Sequence, residues 1–329
     1  MDIYFNPEYV KLNEQIEGGA AECFEFSCEY GSVNSMYIKR KVPYLIDGEQ
    51  YFDAITPYGY GGPVITECKD KEKLIAAYSE AYLKHCMAEK IVDEFVRFHP
   101  LVENALNFGD MYQASYNRHT LAIDLEDENY NMTQFSPDCR NMIRKAAKKG
   151  VTVEIDLECA HMDDFIRLYY AAMEKNEASD YYYFSKEYFE KFKTISGIKT
   201  VLINAYVEGK IVSSAMFLCS DEYMHYHLAA TDPDFYSYAS NNIILAKAAE
   251  YGREQGLKWL HLGGGLSGSE KDSLFRFKRS FGRTDKNLKD FYLGRAVFMP
   301  EVYDELCKIA EANGITNDGF FPAYREARW

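Results

Sequence analysis

The sequence lacks the patterns that mark several large classes of protein. Eight cysteines are scattered along 329 residues without a Cys-x-x-Cys pair, so we expect neither a metal site nor a disulfide framework. The apolar runs are only as long as strands, and residues 1–14 are polar and acidic, so we expect no membrane span and no signal peptide. A Gly-x-Ser-x-Gly nucleophile motif is also missing. The composition is that of an ordinary globular protein. We expect the protein in the cytoplasm, with its thiols reduced.

Basic residues are also in short supply. The chain has 37 lysines and arginines against 51 aspartates and glutamates, which gives a formal net charge of −14. The long-range field of such a protein repels polyanions, so DNA is not an expected partner. The densest basic patch lies on a predicted helix at residues 137–150 and includes Arg144. This patch is either a solvated helix face or a site for phosphates.

The order of the predicted elements repeats along the chain. In each half, three strands precede a loop, a helix and a fourth strand. These elements are residues 23–30, 33–44, 49–55, 70–90 and 91–98 in the first half, and residues 199–207, 211–219, 222–231, 240–255 and 257–262 in the second. Further helices are predicted at residues 137–150, 161–177, 185–195 and 300–313. We therefore predict an α/β protein with two copies of one fold, at residues 1–128, completed by 297–329, and at residues 129–296.

Glycines dominate the loop at residues 56–63, TPYGYGGP, which also carries Tyr58 and Tyr60. Because glycine has no side chain, the backbone N–H groups of such a loop can approach a ligand closely. The loop lacks the spacing of a nucleotide-binding fingerprint. The same residues are equally typical of a rigid structural turn, so the local sequence leaves both interpretations open.

The third strand of the second half and the helix after it carry further candidates. His227 has an ordinary pKa near neutrality, so it can accept a proton from an attacking amine, although packing is the alternative. Tyr226 points to the opposite side of the strand. Ser240, Asn241 and Asn242 begin the helix, whose free N–H groups suit an anion or a polarised carbonyl. Ser240 can also serve simply as the N-cap.

A lysine interrupts an apolar helix face in the run LHLGGGLSGSEKDSLFRFKRSFG, residues 260–282. Lys278 shares that face with Leu274, Phe277 and Phe281. A lysine in this setting can extend its stem along the apolar surface and keep its charge in water. In a cleft, the same ammonium would stabilise a developing oxyanion.

Four segments together resemble the Fem family of non-ribosomal aminoacyl transferases. They are the run LGGG…DSLFRFKRSFG, the YGYGGP loop, the strand VRFHP at residues 96–100 and the helix NMIRKAAKKGV at residues 141–151. They are equally similar to the related acetyltransferases that share the doubled GNAT fold. The resemblance implies an α/β fold with two tandem GNAT-like domains, and acyl transfer to an amine.

The resemblance also implies roles for individual residues. Phe277 and Lys278 occupy the positions of the family's phenylalanine-lysine pair, whose lysine meets the tRNA end or the transition-state oxyanion. Two departures are visible: His99 stands where the Fem strand often carries an aspartate, and no Q/R-x-x-G-x-G/A loop precedes Ser240. We expect Lys278 and His227 to act in catalysis, Phe277, Ser240, Asn241, Asn242 and Tyr226 to bind the donor, and Tyr58, Tyr60, His99, Arg97 and Arg144 to bind the acceptor.

The expected activity is N-acyl transfer to an amino group of a cell-envelope or other small-molecule precursor. The co-substrate is an acyl-CoA or an aminoacyl-tRNA, whose acceptor end would be a partner, and we expect no tightly bound cofactor and no metal. The sequence leaves the choice of donor open. The alternative function is a non-catalytic module that binds a glycan or peptide through its many tyrosines, including those at residues 181–183.

Overall fold

The computed structural model describes residues 1–315 and 319–326 and divides the chain into two compact units. We name the units by their place in the sequence. Residues 4–117 with residues 290 onwards form the outer unit, and residues 1–3 with residues 118–289 form the central unit. The predicted division was placed near residues 128 and 297. The central unit begins earlier because the strand at residues 115–124 pairs with a strand at residues 259–263.

The first part of the chain forms four α-helices and six strands. They are α1 (Pro7–Leu12), α2 (Glu14–Glu17), β1 (Ala20–Cys28), β2 (Gly31–Ile46), β3 (Glu49–Ile55), β4 (Val64–Cys68), α3 (Lys71–Ala88), β5 (Ile91–Arg97), α4 (Ala105–Phe108) and β6 (Ser115–Asp124). In the outer unit β1, β2, β3, β5 and β12 (Leu288–Val297) lie side by side in that order, and β4 pairs with β2. The predicted meander of three strands is confirmed by the antiparallel pairing of β1, β2 and β3.

Helix α3 covers this sheet because its apolar residues recur at helical spacing. Leu74, Tyr78 and Tyr82 are fully buried in the core of the outer unit. The helix begins where Asp70 accepts a hydrogen bond from the backbone N–H of Lys73 at 3.3 Å. The helix α11 (Pro300–Ala312) belongs to the same unit, where Leu306 packs in a second apolar cluster.

The central unit contains the remaining elements. They are α5 (Tyr130–Thr133), α6 (Pro137–Lys148), β7 (Thr152–Asp156), α7 (Met162–Lys175), α8 (Lys186–Lys191), β8 (Lys199–Val207), β9 (Lys210–Cys219), β10 (Tyr223–Thr231), α9 (Ser240–Glu254), β11 (Trp259–Gly263) and α10 (Ser273–Arg279). Its strands lie in the order β6, β11, β10, β9, β8, β7. The strands β4, β6, β7 and β12 were missed by the sequence prediction, whereas the main helices and the two sets of three strands are confirmed.

Two findings complete the general picture. All eight cysteines are free thiols, of which Cys86, Cys139, Cys159 and Cys219 are buried. Half of the thiols therefore lie in the core. Within the described residues, no helix combines the length and the apolar character that crossing a bilayer requires.

Candidate active site

Strands β10 and β11 of the central unit are paired over only part of their length. Their parallel pairing runs from Tyr223 opposite Trp259 to His225 opposite His261 and then stops. Beyond that point β10 pairs with β9 alone within the described part of the chain, and the register shifts around residue 227. The edge of β10 that faces β11 is thus open after His225, and its backbone groups are available to a ligand.

Lys278 lies buried at this end of β11. Its side chain is on α10, the residue is only 8% exposed, and its ammonium donates a hydrogen bond of 2.7 Å to the carbonyl oxygen of Gly264. The positive φ of 73° at Gly263 turns the chain out of β11 just before that carbonyl. Burial lowers the pKa of Lys278 to about 8, and the nearby Asp272 carboxylate opposes this shift. Snorkelling to the surface is therefore excluded for this lysine.

Tyr226 is brought together with Lys278. The ammonium of Lys278 lies 5.9 Å from the centre of the Tyr226 ring, which packs against Phe217 at 5.5 Å. Phe277, the neighbour of the lysine on α10, is partly buried in the same apolar cluster and contacts Phe281 at 5.5 Å. The open end of β10 thus combines an aromatic ring, a buried cation and an apolar wall.

His227 lies apart from this group. Its ring packs beside Phe192 at 5.3 Å, while the adjacent Tyr226 packs against Lys278. Burial, followed by the effect of His225, lowers the pKa of His227 to about 3. The imidazole is therefore neutral at physiological pH but holds a proton weakly, which argues against our prediction that it is the general base.

The N-terminus of α9 follows β10 through a 3-10 turn. The cap residue is Ala239, with a φ of 57°, so Ser240 is the first residue of the helix and not its N-cap. The Ser240 hydroxyl is buried and has no hydrogen-bond partner within the described residues. The backbone N–H of Asn242 is used by the carbonyl of Ala239 at 3.0 Å, whereas those of Ser240 and Asn241 meet no acceptor among the described residues. The N-terminus of α9 therefore keeps two donors available for an anion.

Buried side chains hold this helix end against the sheet. The Ser213 hydroxyl on β9 donates to the Asn241 side-chain oxygen at 2.9 Å and lies 2.7 Å from the Thr231 hydroxyl. The side chain of Asn242 is directed elsewhere, towards the thiol of Cys139 on α6. Asn241 therefore fixes the position of the helix end, while Asn242 packs between two helices.

Three lysines surround the turn before α9, and sequence reasoning missed their convergence. Lys149 donates to the carbonyl of Ser237 at 3.0 Å and lies 4.7 Å from the Tyr238 ring centre. Lys175 and Lys210 lie over the rings of Tyr236 and Phe235, at 4.6 and 5.0 Å. The signal in the sequence is the aromatic run at residues 235–238, but the lysines come from three distant segments. Lys210 is also paired with Asp232 at 2.9 Å, so Lys149 and Lys175 are the cations that act against Asp234 at this turn.

The predicted acceptor residues of the outer unit gather around the loop at residues 56–63. Arg97 donates to the carbonyl of Thr56 at 3.0 Å, and the Nδ1 atom of His99 accepts from the backbone N–H of Val102 at 3.1 Å. The rings of Tyr60 and His99 lie 5.6 Å apart. Arg97 and His99 thus hold backbone in place, as a structural turn requires.

The remaining two acceptor candidates are Tyr58 and Arg144. Tyr58 offers its backbone carbonyl to the hydroxyl of Tyr9 at 2.7 Å. Arg144 belongs to the other unit, where it is exposed on α6 and bonds the side chain of Asn141. Nothing in these contacts distinguishes Arg144 from a solvated helix residue, so its acceptor role stays a prediction.

Comparison with known proteins agrees with this architecture. Residues 134–279, within the central unit, match the family described as an acetyltransferase (GNAT) domain. No curated protein sequence matches the chain. The solved structure of FemX shares 16% identity, covers 92% of this chain and 94% of its own, and superposes with a TM-score of 0.67.

Two further solved structures have the same fold. One is the C-terminal domain of a protein assigned as a lysylphosphatidylglycerol synthetase, from Agrobacterium fabrum, with 13% identity, coverage of 91% and 96%, and a TM-score of 0.55. The other is L-PGS from Bacillus licheniformis, with 12% identity, coverage of 90% and 94%, and a TM-score of 0.55. At such identities the likeness concerns the fold.

The domain match and the fold define the class: residues 134–279 form an acetyltransferase (GNAT) domain, and the protein is an acyltransferase. Its fold is the doubled GNAT fold of Fem-like proteins, so the resemblance seen in the sequence is confirmed. The GNAT match includes Tyr226, Lys278 and the N-terminus of α9.

Proposed function

We propose that this protein is an N-acyltransferase that moves an acyl or aminoacyl group from CoA or tRNA to an amino group. The acceptor is a precursor of the cell envelope, such as one of peptidoglycan, or another small molecule, and the reaction takes place in the cytoplasm. The observation that carries the proposal is the buried ammonium of Lys278 beside the open edge of β10.

The chemistry follows from what acyl transfer requires. An amine attacks the ester or thioester carbonyl of the donor, and the carbonyl oxygen becomes an oxyanion. A cation that is already desolvated stabilises that oxyanion more strongly than a solvated one and needs no reorganisation. Lys278 has this character, since its ammonium is held by the carbonyl of Gly264. Positioning of donor and amine supplies the rest of the rate acceleration.

The phosphates of the carrier would lie at the N-terminus of α9. The N–H groups of Ser240 and Asn241 and the buried Ser240 hydroxyl are hydrogen-bond donors there. Lys149 adds a positive charge at the adjacent turn. Both CoA and the acceptor end of tRNA are phosphate-bearing carriers of a reactive carbonyl, so this arrangement supports a carrier-linked donor of either kind.

The donor is tested by direct binding to the full chain. Labelled acetyl-CoA and labelled aminoacyl-tRNA are incubated separately with the wild type and with Lys278→Met, and the bound label is measured. We expect one donor to bind, and to transfer its label to an amine acceptor much faster in the wild type than in Lys278→Met. Failure of both donors to bind, together with binding of a glycan or peptide, would support the non-catalytic module instead.

A further inference from the structure

The outer unit contains a small cavity whose lining includes none of the residues that we assign to acyl transfer. It has a volume of about 180 Å³ and is lined by Arg40, Ile55, Phe95, Arg295, Gly319, Phe320, Phe321, Arg325 and Glu326. The three arginines come from β2, β12 and the C-terminal segment, which closes the cavity. Guanidinium groups and phenylalanine rings are thus combined in one small space.

Two of the arginines are already compensated. Arg40 donates to the Oδ1 atom of the fully buried Asp53 at 2.6 Å, and Arg325 bonds the Oδ2 atom of the same carboxylate. The adjacent Tyr324 is buried and bonds Asp93 at 2.6 Å, which anchors the C-terminal segment. This part of the cavity wall is therefore rigid and needs no ligand to complete it.

Arg295 is the exception. Its Nε atom is buried without a hydrogen-bond partner, and its guanidinium makes no ion pair within the described residues. A buried donor that is left unbonded costs free energy unless a ligand or water satisfies it. Three arginines and Glu326 line the cavity, and Arg40 and Arg325 share the carboxylate of Asp53 behind the wall, so Arg295 is the lining guanidinium with no carboxylate bonded to it among the described residues.

We propose that this cavity binds a small organic carboxylate with an apolar or aromatic body. The planar fork of Arg295 matches a carboxylate, which accepts two parallel hydrogen bonds. Phe95, Phe320 and Phe321 provide apolar contact for the body of the ligand. One guanidinium without a bonded carboxylate suits a single carboxylate group, and the aromatic wall disfavours a fully hydrophilic ion such as phosphate.

The proposal is tested by calorimetry on the full chain with benzoate as the probe. Benzamide has nearly the same shape without the charge, and inorganic phosphate has the charge without the apolar body. We expect benzoate to bind, and benzamide and phosphate to bind at least tenfold more weakly. Equal binding of benzoate and benzamide, equal binding of phosphate, or no benzoate binding at millimolar concentration would each overturn the proposal.

Two variants locate the site. Arg295→Met should weaken benzoate binding by roughly tenfold to a hundredfold, the effect of losing one charge-assisted hydrogen bond. Arg167→Met removes an exposed guanidinium from α7 of the other unit and should bind benzoate like the wild type. Phe321→Ala removes part of the apolar wall and gives an independent test if Arg295→Met does not fold. Unchanged affinity in both Arg295→Met and Phe321→Ala would place the benzoate elsewhere and overturn the proposal.

Discussion

The ammonium of Lys278 lies 2.7 Å from the carbonyl oxygen of Gly264, at the point where β11 ends. This contact orients a buried cation towards the open edge of β10 and lets the lysine remain charged near neutral pH. The sequence allows Lys278 to extend to the surface or to act in a cleft. Because the residue is only 8% exposed, it is not a surface residue, which leaves the cleft.

The first prediction concerns the charge of Lys278. Lys278→Met keeps the bulk of the stem and removes the ammonium, so turnover should fall by about a hundredfold to a thousandfold, as for the loss of one preorganised oxyanion donor. The thermal midpoint should not fall, since relief of the buried charge offsets the lost hydrogen bond. Steady-state kinetics and a melting curve measure both.

Lys271→Met is the matched control, because Lys271 is an exposed lysine in the loop before the same helix. It should leave turnover within a few fold of the wild type. Wild-type turnover in Lys278→Met would remove this lysine from catalysis. Weakened donor affinity with unchanged turnover at saturation would instead assign it to ground-state binding of the carrier.

The second prediction concerns pH. The pKa of Lys278 is lowered to about 8, so its cation is present below that pH and is lost as the pH rises through 8. Oxyanion stabilisation should be lost over the same range. In Lys278→Arg the charge persists, because a guanidinium stays protonated. The ratio of wild-type to Lys278→Arg turnover should therefore fall between pH 7 and pH 9.5, and a constant ratio would contradict the assignment.

The third prediction concerns the donor phosphates at α9. Asn241→Asp keeps the oxygen that accepts from Ser213 and adds a negative charge at the helix N-terminus. The charge favours the helix dipole, so stability should rise or stay the same, while affinity for a phosphate-bearing donor should fall. Equilibrium binding should thus weaken while the thermal midpoint does not fall.

Asn131→Asp is the control for that experiment, because it adds the same charge at an exposed position of the same unit. It should change donor affinity little at physiological ionic strength. Equal weakening in both variants would mean that overall charge, and not the helix end, governs binding.

The fourth prediction concerns Glu94, which is fully buried in the outer unit. The hydroxyls of Tyr82 and Tyr112 donate to its Oε2 atom at 2.9 and 3.0 Å, and burial raises its pKa from 4.5 to about 7. Because the folded-state pKa is the higher one, stability should fall as the pH rises from 4.5 to 7 and stay low above it. The difference corresponds to about 3 kcal/mol.

Glu94→Gln tests this by keeping the shape of the protonated carboxyl. It should be more stable than the wild type at pH 8 and close to it at pH 5, as measured by denaturant unfolding. Glu311→Gln, at an exposed position of α11, should show the wild-type pH dependence. A difference between Glu94→Gln and the wild type that does not change with pH would contradict the buried ionisation.

Much of the fold could be predicted because local pattern determines it. Helix α3 has its cap at Asp70 and buried residues at helical spacing, and β8 and β9 flank a clear turn signal. Strands β6, β7 and β12 escaped prediction. Their pairing partners are distant in sequence, and only those partners make the segments recognisable as strands.

The sequence by itself determined the class of protein, through its element order and the motif around Lys278, and it placed the main helices and strands. Only the tertiary structure decided that Lys278 is buried, that Ala239 caps α9 instead of Ser240, and that His227 packs beside Phe192. It alone also placed Arg295 in the wall of a cavity. Each of these features depends on contacts between segments that are far apart in the chain. The free energy of a buried charge, and hence its pKa, is determined by those contacts.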